Sequence, residues 1–105
     1  MRLTVLYGHP QDPQAFDDYY ARTHVPLARR MRGWSVWTLE KPIVGPGDPP
    51  APYYLVVGLY ASSAEEAARI LATPESRAAS ADVANFATGG VAYVLTEIQA
   101  VGFEA

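Results

Sequence analysis

Cysteine is absent from the 105 residues, so neither a disulfide framework nor a thiolate metal site can form. Long hydrophobic runs are absent too: no apolar stretch approaches the roughly 20 residues of a membrane-spanning helix. The N-terminal "MRLTVLYGHP" carries only a short apolar run that alternates like a strand, too short for the centre of a signal peptide. The expectation is a soluble, cytoplasmic protein with no membrane partner. Basic charge is scarce, with 8 Lys and Arg against 11 Asp and Glu and a net charge of −3. Nucleic acid is therefore not an expected partner. No phosphate loop occurs, because "GPGDPP" lacks a following Lys-Ser and a strand–helix context. No nucleotide fingerprint or Ser-His-Asp signature is readable, and no cofactor is expected.

What remains fits a single domain spanning 1–105. Half of the residues are hydrophobic and 18% are charged, a globular balance. The order of elements is legible. "LTVLY" (3–7) predicts a strand. Asp12 and Pro13 then open a helix as N-cap and first helical residue. Phe16, Tyr20, Thr23 and Leu27 make its inward stripe at helical spacing. Pro26 has no N–H and disfavours helical angles at Val25, so it is expected to end this helix. "GWSVWTL" (33–39) predicts a second strand, followed by the irregular, proline-rich "KPIVGPGDPPAP". "YYLVVGLY" (53–60) predicts the third strand. Ser63 and Glu66 form a capping box before "AEEAARILA". Thr73-Pro74 restarts the helix, Gly89-Gly90 stops it, and "VAYVLTEIQAV" (91–101) predicts the last strand.

The resulting βαββαβ order is the ferredoxin-like α+β arrangement, a four-stranded antiparallel sheet in order 4-1-3-2 with the helices on one face. Its central strands are apolar at both parities, while helices cover only one face. A second copy covering the other face makes an isologous dimer, a dimeric α+β barrel.

His24 lies one helical turn from Tyr20, beside the gap between helix and sheet. It is the candidate general acid or base, since histidine titrates near neutrality. The structural alternative is that it bonds a carbonyl orphaned by Pro26. His9 stands in the loop after the first strand, roughly 15–20 Å away at 1.5 Å per helical residue, too far to share a metal. No acidic cluster completes either histidine, and no metal site is expected. Arg29, Arg30 and Arg32 complement the dipole at the helix end. Seven tyrosines supply rings and hydroxyls suited to a flat apolar or aromatic ligand. Tyr20, Trp37 and Tyr60 are the expected pocket wall.

"FDDYYARTHVPL", through Phe16, Tyr19, Tyr20, Thr23, His24, Pro26 and Leu27, resembles the EthD family of small dimeric α+β barrel proteins. The likeness runs along essentially the whole chain. A second matching block is "SADVANFATG", through Asp82, Asn85 and Phe86, which join the expected substrate-binding residues. The resemblance implies an oxidoreductase label, by association with an ether-degrading cytochrome system. Similar folds also serve cofactor-independent monooxygenases, polyketide cyclases and a lactone isomerase, so fold alone does not fix chemistry. Two functions are expected from these observations. The first is an oxidoreductase or cofactor-independent isomerase or cyclase acting on a hydrophobic or aromatic compound, with His24 moving a proton. The second is a non-catalytic small-ligand carrier, or an accessory protein to a redox system; a purely structural dimer, which needs neither pocket nor titrating group, is the third reading.

Overall fold

Strand β1 (Arg2–Tyr7) buries every second residue, Leu3, Val5 and Tyr7, as a sheet packed on one face requires. In the computed structural model, which describes residues 1–104, β1 is central. β3 (Leu55–Tyr60) pairs antiparallel along one side of it and β4 (Val91–Thr96) along the other. β2 (Val36–Glu40) adds outside β3, giving the order β2-β3-β1-β4. This is the expected ferredoxin-like topology. The register sets Leu3 opposite Leu59, Val5 opposite Val57 and Tyr7 opposite Leu55, so all six face the helices together.

The helices begin where their caps dictate. Asp12 accepts the Ala15 N–H at 3.1 Å ahead of α1 (Pro13–Tyr19). Ser63 does the same for Glu66 at 3.1 Å ahead of α3 (Ala64–Leu71). Thr73 accepts the Ser76 N–H at 3.3 Å ahead of α4 (Pro74–Asp82), which closes on a 3₁₀ turn at Val83–Asn85. The core joins the inward strand residues to Phe16, Tyr20, Val83 and Phe86. A smaller cluster of Ala61, Ala67 and Ile70 seats α3. No helix among the described residues is long and apolar enough to cross a membrane.

Three expectations need correction. First, Pro26 does not end the helix. The chain widens into a π turn at Tyr20–His24, where the Val25 N–H bonds the Tyr20 carbonyl five residues back, and continues as α2 (Val25–Ala28). The extra residue re-phases the stripe: Phe16, Tyr20, His24 and Ala28 are buried, while Thr23 is exposed and Leu27 only half-buried. Second, the last strand stops at Thr96 rather than 101. Thr96 pairs with Arg2, where β1 begins, and no ladder partner lies beyond it. Third, the face away from the helices is not uniformly apolar. Leu6 and Val56 lie there by parity, but so does Arg2, which bonds Tyr60 Oη at 2.6 Å and Glu40 Oε2 at 2.7 Å.

Pro26 is exposed and packs little, so its cost to the helix is uncompensated. Pro26→Ala supplies the missing donor, and the urea midpoint should rise, by at most the ~3 kcal/mol of an interior proline. A lower midpoint with unchanged helical circular dichroism would contradict this account of the π turn.

Candidate functional site

The π turn carries His24 inside, where the residue is 6% exposed. Its Nδ1 lies 2.9 Å from Oδ2 of Asp82, the last residue of α4. The other carboxylate oxygen of Asp82 accepts the Tyr19 hydroxyl at 2.6 Å and the Asn85 amide at 3.1 Å. An ionised carboxylate has only acceptors, so the hydrogen in the His24 contact belongs to Nδ1 and Nε2 is the free nitrogen. Thus His24 bonds a carboxylate, and the expected alternative partner, a broken-helix carbonyl, is replaced. Rings fix the imidazole on two sides: Phe86 has its centroid 4.8 Å away and Tyr20 5.1 Å away.

The electrostatics follow from these contacts. Burial pushes the Asp82 carboxyl up, but the hydrogen bonds from Tyr19, His24 and Asn85 together outweigh it and hold it below the ordinary value. The bond to Asp82 in turn pulls the Tyr19 hydroxyl up, with burial adding to the shift. Burial is also the main reason that the Tyr20 hydroxyl is pushed up to about 12, with the Trp37 indole acting in the opposite direction. That indole N–H nevertheless lacks the geometry of a hydrogen bond.

His24 lines a cavity of about 250 Å³ between sheet and helices. Leu3, Val5, Tyr7 and Leu59 form its sheet side, and Ser76, Ala79, Ser80 and Val83 its helical side. Met31, Leu71 and the half-exposed Tyr93 complete the lining. No Asp, Glu, Lys or Arg lines it. With Nδ1 committed to Asp82, Nε2 is the imidazole atom left to meet a ligand.

The other expected site residues distribute around this centre. Asp82, Asn85 and Phe86 support His24 from behind, and none of them lines the cavity. Tyr20 lines a separate groove with Phe16, Leu39 and Tyr54, and Trp37 another with Trp34 and Met31. Tyr60 is removed from the wall by strand parity. It is paired with Arg2, and both belong to the face opposite the helices. His9 bonds the Ala51 carbonyl at 2.7 Å and takes no part. Among the described residues, no three His, Cys, Asp or Glu side chains are grouped to hold a metal. Tyr7 and Ser76 in the cavity wall, and Tyr19 on Asp82, lie outside the set of site residues expected from the sequence. Tyr19 had a signal, since it stands in the Phe-x-x-Tyr-Tyr block. Tyr7 and Ser76 had none.

The topology and cavity define a ferredoxin-like α+β domain with a largely apolar pocket open to solvent on one side. The chain belongs to the EthD domain family, whose model matches residues 8–90. It is similar to an uncharacterized 11.0 kDa protein from the thcB–thcC intergenic region of Rhodococcus erythropolis, at 42% identity over 100 residues, 95% of this chain and 96% of that one. It is similar also to the crystal structure of an EthD family protein from Bacillus halodurans, with a TM-score of 0.84 and 28% identity over 93% of this chain and 97% of that chain. A dimeric ferredoxin-like protein of unknown function from Thermobifida fusca shares the fold, with a TM-score of 0.63 and 14% identity over 89% of this chain and 85% of that chain.

Asp82 generates a pH dependence. Its carboxyl titrates lower in the folded chain than unfolded, so the stability it contributes is present above the ordinary carboxylate value and is lost as pH falls through the folded one. The urea midpoint should therefore fall on acidification below pH ~4, and less steeply in Asp82→Asn. At neutral pH the same substitution should cost on the order of 1–3 kcal/mol, because donors lose a charged acceptor. Parallel acid profiles for the two proteins would refute the assignment.

Proposed function

We propose that the protein binds a small apolar molecule in this cavity and that His24 Nε2 moves a proton to or from it. The observation that carries this reading is the buried Asp82–His24 pair opening onto an apolar wall. Asp82 keeps the hydrogen on Nδ1, which leaves the lone pair of Nε2 free to accept one. Once Nε2 has taken a proton, the same carboxylate pairs with the imidazolium. The Tyr7 hydroxyl, in the same wall, is the candidate donor to an oxyanion developing on the ligand. Removal of a proton from an acidic C–H or phenol fits an isomerisation, a cyclisation or the first step of oxidation by dioxygen. A carrier needs the cavity but not an oriented base, so the pair favours catalysis.

A homodimer through the open sheet face belongs to this reading. β4 is exposed along its whole length; Val94, which pairs with Thr4 on the open face, is 43% accessible, and the Thermobifida neighbour is described as dimeric. A second copy would cover this face.

Proton transfer can be read without knowing the natural reaction. 2-Tetralone has an acidic C–H beside its carbonyl and is of a size for the cavity. In D₂O the protein should accelerate its hydrogen–deuterium exchange, and His24→Gln should lower that rate ~10²–10⁴-fold, the usual worth of a general base. Saturable binding of 2-tetralone without any acceleration would leave the carrier. The dimer has its own check. Light scattering at micromolar concentration should give twice the chain mass, and Val94→Glu should shift it toward monomer. A soluble wild-type monomer there would remove the barrel.

A further inference from the structure

Ser76 is 5% exposed, and its Oγ is buried without any hydrogen-bond partner. Buried polar groups in folded proteins are nearly always paired, so the exception calls for an explanation. The other buried side-chain polar atoms in this position are the indole N–H groups of Trp34 and Trp37, and both residues line a different groove. Ser76 lines the His24 cavity. Its neighbour one turn on, Ser80, lines the same wall but is exposed, so water can satisfy it.

The position of Ser76 on α4 matters. The helix runs from Ser76 in its first turn to Asp82 at its end, six residues that span about 9 Å along the axis. Asp82 anchors His24, so the cavity lining carries polar groups toward both ends of α4, with Ala79 and Val83 on the helix, Val5 and Leu59 on the sheet, and the solvent-exposed Ser80 between them. Its volume of about 250 Å³ compares with roughly 150 Å³ for a dry cavity that holds benzene, which makes room for one or two rings. No Lys or Arg lines the wall, so a carboxylate there would be buried without a counter-charge.

We propose that Ser76 is a second ligand-binding pole, and that the ligand is a neutral one- or two-ring apolar compound with an oxygen function at each end. One oxygen meets the His24 and Tyr7 end, and the other exchanges a hydrogen bond with Ser76 Oγ after a rotation about χ1 brings that oxygen, buried in the unliganded chain, into the cavity. The assignment of the first pole rests on the function proposed above; the second rests on Ser76 alone.

Binding of 2-naphthol and 2,6-dihydroxynaphthalene, followed by their fluorescence or by calorimetry, tests the proposal. The diol should bind wild type about 5–10-fold tighter, the worth of one added hydrogen bond. Ser76→Ala should bring the diol to the naphthol's affinity and leave the naphthol unchanged, while Ser62→Ala, at an exposed serine outside the cavity, changes neither. Its thermal midpoint should not fall, because Ser76 donates its backbone N–H to the Thr73 cap and its hydroxyl has no partner to lose. His24→Gln should weaken both compounds together and preserve their ratio. 6-Hydroxy-2-naphthoate should bind at least ~10-fold more weakly than the diol, since its second oxygen function is charged. Equal affinities of diol and naphthol in wild type, or a diol preference that survives Ser76→Ala, would overturn the second pole and leave the His24 site standing. If neither compound binds wild type, the cavity reading falls and this inference with it.

Discussion

Asp82 is a buried carboxylate that accepts from Tyr19, His24 and Asn85, and much of the architecture is arranged around that satisfaction. Taking an anion out of water is costly unless charge-assisted hydrogen bonds replace its hydration. Three donors do so here, and two of them come from α1 and the π turn, 63 and 58 residues away in the chain. The carboxylate therefore ties the first helix to the end of α4 and fixes His24 in the same act. Phe86 completes the arrangement. It packs against His24, Tyr19, Tyr20, Phe16 and Tyr7, so the aromatic core and the polar centre share one wall.

The π turn is the local device that makes this possible. In an uninterrupted α-helix the inward stripe would run through Phe16, Tyr20, Thr23 and Leu27. One extra residue in the turn advances it to His24 and Ala28. Pro26 follows directly, where no N–H is available to close an ordinary turn. Backbone hydrogen bonding is thus exchanged for the placement of one imidazole. Such irregularity in an otherwise well-capped helix coincides with the group best suited to chemistry.

The sheet divides the molecule's tasks by parity. One face supplies Leu3, Val5, Tyr7 and Leu59 to the cavity. The opposite face carries Arg2, Tyr60 and Glu40 in one hydrogen-bonded set, across three adjacent strands. In the proposed dimer, polar residues within an apolar face would give the second copy something directional to meet, and charged pairs of this kind favour register more than affinity. Family membership and the fold leave the reaction open, since ferredoxin-like domains serve many chemistries. The proposed proton transfer rests on the Asp82–His24 geometry.

Local physics made most of the fold legible from the residues. Alternation marked the strands, Asp12, Ser63 and Thr73 marked the helix starts, and the βαββαβ order led to the sheet order. The two blocks "FDDYYARTHVPL" and "SADVANFATG" even contained most of the hydrogen-bonded centre, but nothing in either says that they meet at Asp82. That meeting, and every other feature the sequence could not decide, depends on distant groups. The π turn forms because tertiary packing takes up His24, an outcome that helical spacing alone cannot anticipate. Tyr60 turns away from the cavity because the register with Arg2 sets its face, and shifting a strand by one residue would reverse it. Ser76 reads as one more residue of a helix's first turn until the sheet closes over it. Sequence determines what each segment is, through interactions that span about one turn or one pleat. Only the packed structure decides which side chains face one another, because those contacts require the whole chain to have closed.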